Sequence, residues 1–239
     1  MPLPTSFLAH LQQAGYHSRS DKHSKSLAEA IVLALMGACP RIALDAHVGR
    51  LVFQHNHDVS YGHATWNTDL AIGPPAPDVK LDCLPDVAGM KRSTPIAVRI
   101  AVEAKAVMTE HRKAIKNRKR DLEAHHQHVH DYDPQAIAGG IIALNASTTF
   151  QSPLRQQLSS HGNIDSVIAH CIKEVNSITI AHGTSPVGLD AKCALVLVMD
   201  NVNYPGTTYL EKPPAPAVGS PIHWDAFIER ICQLYTARF

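Results

Sequence analysis

The segment IAVRIAVEAK, residues 96–105, decides how the rest of the chain is read. Ile96, Val98, Ile100 and Val102 alternate with mostly small residues, which predicts a β-strand, and so apolar a strand belongs in the middle of a sheet. The strand closes on Glu103 and Lys105. Side chains two residues apart in a strand leave the same face, so a carboxylate and an ammonium stand side by side at its end. The rest of that face should be core.

Upstream, VGRLVFQH (48–55) and WNTDLAI (66–72) are short, rich in apolar and β-branched residues, and split by a polar stretch containing Gly62. They predict two neighbouring strands. Residues 74–95 carry Pro74, Pro75, Pro77, Pro85, Gly89 and Pro95, the punctuation of a long surface loop. Ser26 and Glu29 have the spacing of an S-x-x-E capping box, and Leu27, Ala30, Ile31, Ala34, Leu35 and Ala38 follow at helical spacing, giving a helix from about Leu27 to Gly37 that Pro40 stops. Residues 1–22 have no firm period, although Phe7, Leu8 and Leu11 fit a short helix.

Downstream, no Gly or Pro interrupts Thr109 to Tyr132, and Ile115, Leu122 and Val129 recur every seven residues of a polar segment. That pattern is a long helix with a narrow apolar seam. Asp133-Pro134 ends it, and AIAGGIIALNA (136–146) is a buried strand. Asn163 is placed to cap a helix bearing Ile164, Val167, Ile168, Cys171, Ile172 and Val175. KCALVLVMD (192–200) is another buried strand, and Ser220-Pro221 suits the start of a last helix with Trp224, Phe227, Ile228, Ile231 and Leu234 inside. Hairpins come first and helix crossovers later, so the expected fold is α/β, a mixed central sheet flanked by helices.

Composition bounds the function. With 45% hydrophobic and 18% charged residues the 239-residue chain can bury a core, and one domain over 1–239 is the simpler reading. No run approaches the roughly 18 apolar residues of a membrane span, and the N-terminus lacks the layout of a secretory signal, so a cytoplasmic protein is expected. Cys39, Cys83, Cys171, Cys193 and Cys232 are odd in number and scattered, with no C-x-x-C pair, which argues against a disulfide framework and a cysteine zinc site and for reduced thiols. A net charge of +1 gives no global pull on nucleic acid, so a polyanion would have to be held by a local patch.

Hydrolysis of a phosphodiester needs charge neutralised on phosphorus and a water activated, and carboxylate-bound divalent ions serve both needs. Asp69, in the strand before VEAK, and Glu103 would lie within reach of one ion, with the Ala104 carbonyl as a further ligand. Lys105 beside that ion could orient or deprotonate the attacking water, since a partly desolvated lysine next to a divalent cation has a depressed pKa. The bland alternative for Glu103 and Lys105 is a salt bridge at a strand edge.

With Glu29 on an early helix, Asp69 in TDLAIG, the VEAK strand, a helix and then AIAGGIIALNA, the chain resembles the PD-(D/E)XK nuclease superfamily, which includes type II restriction endonucleases. The resemblance covers about residues 25–147, leaving 148–239 as a C-terminal elaboration. It implies a restriction-endonuclease-like fold, Asp69 and Glu103 as metal ligands, Lys105 assisting the water, and Glu29 as an accessory ligand, although a capping role explains Glu29 equally well. The literal Pro-Asp dipeptides are Pro77-Asp78 and Pro85-Asp86, whereas Thr68 precedes Asp69. Asp69 is preferred because it sits in an apolar strand, while Asp78 and Asp86 lie in the proline-rich loop. The implied activity is a Mg2+-dependent DNA endonuclease, Mn2+ being a substitute, which leaves 5′-phosphate and 3′-hydroxyl ends in a restriction or phage-defence setting. The alternatives are a structure-specific repair nuclease and a nucleic-acid-binding module that keeps the fold without turnover.

In HRKAIKNRKR (111–120), Arg112, Lys113, Lys116, Arg118, Lys119 and Arg120 fill six of nine places after VEAK. Arg112, Lys116 and Lys119 or Arg120 share a helix face and could follow the backbone of double-stranded DNA, although most charge runs are merely solvated. A double-strand break would call for a homodimer. His125, His126, His128 and His130 crowd the same helix. Without H-E-x-x-H they are expected to be exposed rather than to bind zinc. His55, His57 or His63 could approach the substrate near Asp69, and Asn145 and Ser147 are groove candidates with turn roles as the alternative.

Overall fold

The computed structural model describes residues 2–62, 64–154, 158–181 and 187–239. The chain begins with helices α1 (Thr5–Ala14), α2 (Lys22–Ala38) and α3 (Pro40–His47), followed by strands β1 (Val52–Tyr61) and β2 (Ala64–Gly73). Short strands β3 (Asp86–Val87) and β4 (Met90–Arg92) lead to β5 (Ile100–Val107), helix α4 (His111–Tyr132) and β6 (Ile137–Asn145). A small hairpin, β7 (Thr149–Gln151) and β8 (Leu158–Ser160), precedes α5 (Ile164–Asn176), β9 (Ala191–Val198), β10 (Thr208–Tyr209) and α6 (Trp224–Arg238).

Eight strands form one sheet in the order β10-β9-β6-β5-β2-β1-β4-β3. β1 and β2 are an antiparallel hairpin, β2 is antiparallel to β5, and β5, β6 and β9 run parallel with α4 and α5 as crossovers. The fold is therefore α/β with a mixed sheet flanked by helices, as the segment order implied, and the VEAK strand is central. Of the seven strand pairings in that sheet four are antiparallel, so antiparallel pairing predominates.

Alternation divides β5 between two cores. Ile100 and Val102 join α1, α2, α3 and α6 on one face, while Ala101 and Val107 join α4 and α5 on the other. The α4 seam of Ile115, Leu122 and Val129 is fully buried. Its close approach requires the bare backbone of Gly140 in β6, where a Cβ would lie 3.0 Å from Leu122 and 2.7 Å from Leu189.

Several local expectations are overturned. α2 starts at Lys22, so Ser26 lies inside the helix and makes no capping box with Glu29. α2 does end where Pro40 stops it, at Ala38, and Pro40 in addition opens α3, a place where its missing N–H costs nothing. The proline-rich loop holds β3 and β4, which extend the sheet beside β1. The last helix is capped by His223, whose side chain accepts from the Asp225 N–H, not by Ser220. The cysteine reading is corrected as well. A disulfide joins Cys39 to Cys232, their Cα atoms 5.4 Å apart across 193 residues of sequence, and Cys83, Cys171 and Cys193 are free. Cysteine spacing could not reveal it, because the packing of α6 near the α2–α3 junction is a tertiary event. Among the described residues no single helix is long and apolar enough to cross a membrane.

Candidate active site

The β2–β5 ladder stops at Leu70↔Val102, and the same register continued by one residue sets Asp69 opposite Glu103. There the strands part, and side chains replace the missing ladder. The Thr68 hydroxyl donates to the Val102 carbonyl at 3.0 Å, and the Ala104 N–H donates to Asp69 Oδ2 at 2.8 Å. In an extended strand the N–H and C=O of one residue point to the same edge, so the Ala104 carbonyl also faces the gap.

The hairpin twists where it departs. Across from Asp69 the β1–β2 register skips Asn56, whose φ of +44° places it in the left-handed region that asparagine tolerates. Leu70 and Ile72 face the α2 side, yet Trp66, at the same parity, packs on the α4 side against His125 and His128, with ring centroids 5.6 and 6.1 Å away. The twist leaves Asp69 half-buried at the mouth of a cleft of about 300 Å3 lined by Asp69, Ala104, Lys105, Tyr16, His23 and Arg118.

Glu103 is 9% exposed. Its Oε1 receives the Lys105 ammonium, while its Oε2 is buried with no hydrogen-bond partner. Burial first and the neighbouring Asp69 charge second push the Glu103 carboxyl up to about 7, against the pull of Lys105 and, more weakly, of the Asp69 backbone N–H. Two repelling acids, an orphaned carboxylate oxygen and a main-chain carbonyl make an oxygen-rich cradle that fits a hard divalent cation. No cluster of three or more His, Cys, Asp or Glu suited to an ion occurs among the described residues. Two carboxylates alone are the smaller protein share of a hard-cation site, the kind that an ion retaining several of its waters accepts.

The other candidates separate. The Glu29 carboxylate lies 3.6 Å from His55 Nε2 and 3.9 Å from Arg92, partners on β1 and β4 instead of on the cleft. Asp86 accepts from the Gly89 N–H and from Lys91, an ordinary turn role, and Asp78 is exposed. His63 lies outside the described residues. Burial lowers the pKa of both His55 and His57. Asn145 Oδ1 accepts from the Ser147 and Met199 N–H groups, which ties both candidates into a turn.

The basic run surrounds α4 instead of forming one stripe. Lys113 and Arg118 face a groove continuous with the cleft, and Arg118 also pairs with Asp121 at 2.9 Å. Lys119 reaches Ser177 at the end of α5, while Arg112, Lys116 and Arg120 are exposed. The expectation that the histidines are exposed is wrong for three of four: His125, His126 and His130 are buried and only His128 is exposed. His125 packs its ring edge-on against Trp66 and His130 pairs with Asp190, so ring packing and one carboxylate accompany their burial. Burial, opposed in part by the Ala101 backbone, drives His125 down to about 3, so it is neutral near pH 7.

Sequence reading missed Tyr16 and His23, which reach the cleft from the α1–α2 junction. It also missed Thr68 as the residue that closes the ladder. Neither carries a motif. No family model, curated protein or solved structure matches this chain.

Proposed function

We propose that the chain is a Mg2+-dependent DNA endonuclease, with Asp69, Glu103 and Lys105 as its catalytic residues. The observation that carries the reading is the Asp69–Glu103 pair at the parting of β2 and β5, with Glu103 Oε2 unpartnered beside the Lys105 ammonium. Asp69, Glu103 and the Ala104 carbonyl would hold the ion, which supplies charge neutralisation at the phosphate. Asp69 is fixed by the Ala104 N–H, so its carboxylate needs no reorganisation on binding. Glu103 keeps Lys105 aimed into the cleft, where its ammonium orients the attacking water in line with the scissile bond and neutralises charge on the phosphoryl oxygens.

The strand order supports a restriction-endonuclease-like core, since the acid-bearing β2 lies between the VEAK strand and β1 in one sheet. A restriction or phage-defence role, a cytosolic setting and a homodimer on double-stranded DNA belong to the same reading, although the Cys39–Cys232 disulfide removes the argument from reduced thiols. The rival is an inert binding module, favoured by the Glu103–Lys105 ion pair, which alone satisfies a structural salt bridge.

Supercoiled plasmid incubated with the protein and Mg2+ tests this directly. Nicked or linear product with 5′-phosphate ends, lost with chelator and in Lys105→Ala, is the expected result. Plasmid left intact under both Mg2+ and Mn2+, with wild type and Lys105→Ala binding it equally, would establish the inert module.

A further inference from the structure

The cleft at Asp69 does not end there. A second cavity of about 380 Å3 shares Tyr16, Ser18, Ala106, Met108 and Arg118 with it and continues along the first turns of α4 past Lys113 and Asn117. A third, of about 490 Å3, shares Glu110 and Lys113 with the second and reaches Arg112 and His161. Through these shared residues the three cavities follow one another as a groove away from Asp69 and Lys105, while the buried Glu103 side chain lines none of them.

Its walls are built. Asn201, buried and at φ +62°, accepts from the Tyr16 N–H at 2.7 Å and donates to the carbonyls of Tyr16 and Gln151 at 3.1 and 2.9 Å. One side chain thus pins the α1–α2 junction to the β7–β8 hairpin. Opposite stands α4, whose Ile115 seam is locked in the core. The cations of α4 divide accordingly: Arg112, Lys113 and Arg118 line the cavities, whereas Lys116 and Arg120 line none of the three.

Cavities of this size take ligands of one or two nucleotides each. A B-form duplex, in which every step carries two paired bases and two sugar-phosphates, is too large to enter them. An open cleft with the cations Lys113 and Arg118, the amide of Asn117 and the edge of the Tyr16–His23 ring stack has the chemistry of a single-strand path, where the backbone is neutralised and a base can pack beside an aromatic pair.

We infer that this groove binds an unpaired DNA strand adjoining the scissile phosphate, so that the substrate is forked, flapped or locally melted DNA in preference to plain linear duplex. The inference rests on the nuclease reading of Asp69, Glu103 and Lys105 for its placement, and it replaces the restriction role on plain duplex with a structure-specific one. Exposed Lys116 and Arg120 would meet the paired arm.

The test compares a fork with unpaired arms to a blunt duplex of the same sequence, reading cleavage by wild type with Mg2+ and binding by Asp69→Asn. Cleavage of the fork about ten-fold faster or more is expected, with about ten-fold tighter binding that Lys113→Glu and Arg118→Glu each weaken. Arg118→Gln, which keeps a polar side chain, should show a smaller loss in the same direction. Equal rates on fork and blunt duplex overturn the groove inference and leave the nuclease reading standing. If neither DNA is cut, the nuclease reading fails, and binding alone decides the groove: preference for the fork supports it, equal affinity overturns it.

Discussion

Glu103 and Asp190 are two of the buried acids that lie beside a cation, and they differ in how many partners they have. Asp190, which precedes β9, is saturated: Oδ2 accepts from His130 at 2.9 Å and from the Ala138 N–H at 2.8 Å, and Oδ1 accepts from Arg238 at 2.6 Å. Burial alone would raise its pKa, but those hydrogen bonds outweigh it and hold the carboxyl below the usual range. Glu103, midway along β5 at the point where β2 leaves it, has one oxygen paired with Lys105 and the other with no hydrogen-bond partner, and its pKa is pushed up to about 7. Saturation marks an acid that supports the fold. An acid left short of partners, next to another acid, is unstable as it stands and is the one with capacity for a ligand.

Exchanging the two acids' roles is the way to break this contrast. The largest effect is expected at the unsaturated site: Asp69→Asn, which can still accept from the Ala104 N–H, should lower the rate of plasmid cleavage by about 10²–10⁴-fold while the melting temperature changes little. At the saturated site the order reverses. Asp190→Ala leaves His130 and Arg238 facing an empty place and should cost about 3–5 kcal/mol in a urea titration, with activity lost only in proportion to unfolding.

Acid and base sharpen the contrast further, because the shifts have opposite signs. Asp190, with its lowered pKa, contributes stability above the unfolded value of about 3.9, and that contribution disappears as pH falls through the folded value. Glu103 works the other way. Its raised pKa means the folded state holds a proton that the unfolded state has released, so stability falls as pH rises from the model-peptide value of 4.5 to about 7. Glu103→Gln should therefore raise stability at pH 8 by roughly 1–3 kcal/mol while abolishing cleavage, and should have no such effect at pH 4. Thermal melts of the variant and the parent across that interval measure it. The smallest effect belongs to the exposed charges on α4: Lys116→Ala should leave stability within about 0.5 kcal/mol and reduce the salt slope of DNA binding by about 1.

How far the amino-acid sequence reached follows the same division. Strong local signals were legible: alternation gave β5 as a central strand, the uninterrupted polar segment gave α4, and E-x-K at a strand end gave the face shared by Glu103 and Lys105. Asp69 was legible as the acid in the neighbouring strand because apolar flanks made β2 recognisable. What escaped depends on contacts distant in sequence. The Cys39–Cys232 pair, the pinning of Tyr16 by Asn201 and the burial of His130 against Asp190 link residues 193, 185 and 60 positions apart. The basic run illustrates the limit most clearly, since its composition suggested an anion but its direction required knowing which flank of α4 meets the groove and which meets α5.

Calorimetric titration of Mn2+ into the wild-type protein and Asp69→Asn at pH 7.5, in two buffers of different ionisation enthalpy, tests the central claim most directly. The account expects saturable binding by the wild type, with protons released as Glu103 ionises against the ion, and loss of that binding in the variant. Equal binding by both proteins, or none by the wild type with or without DNA, would contradict it.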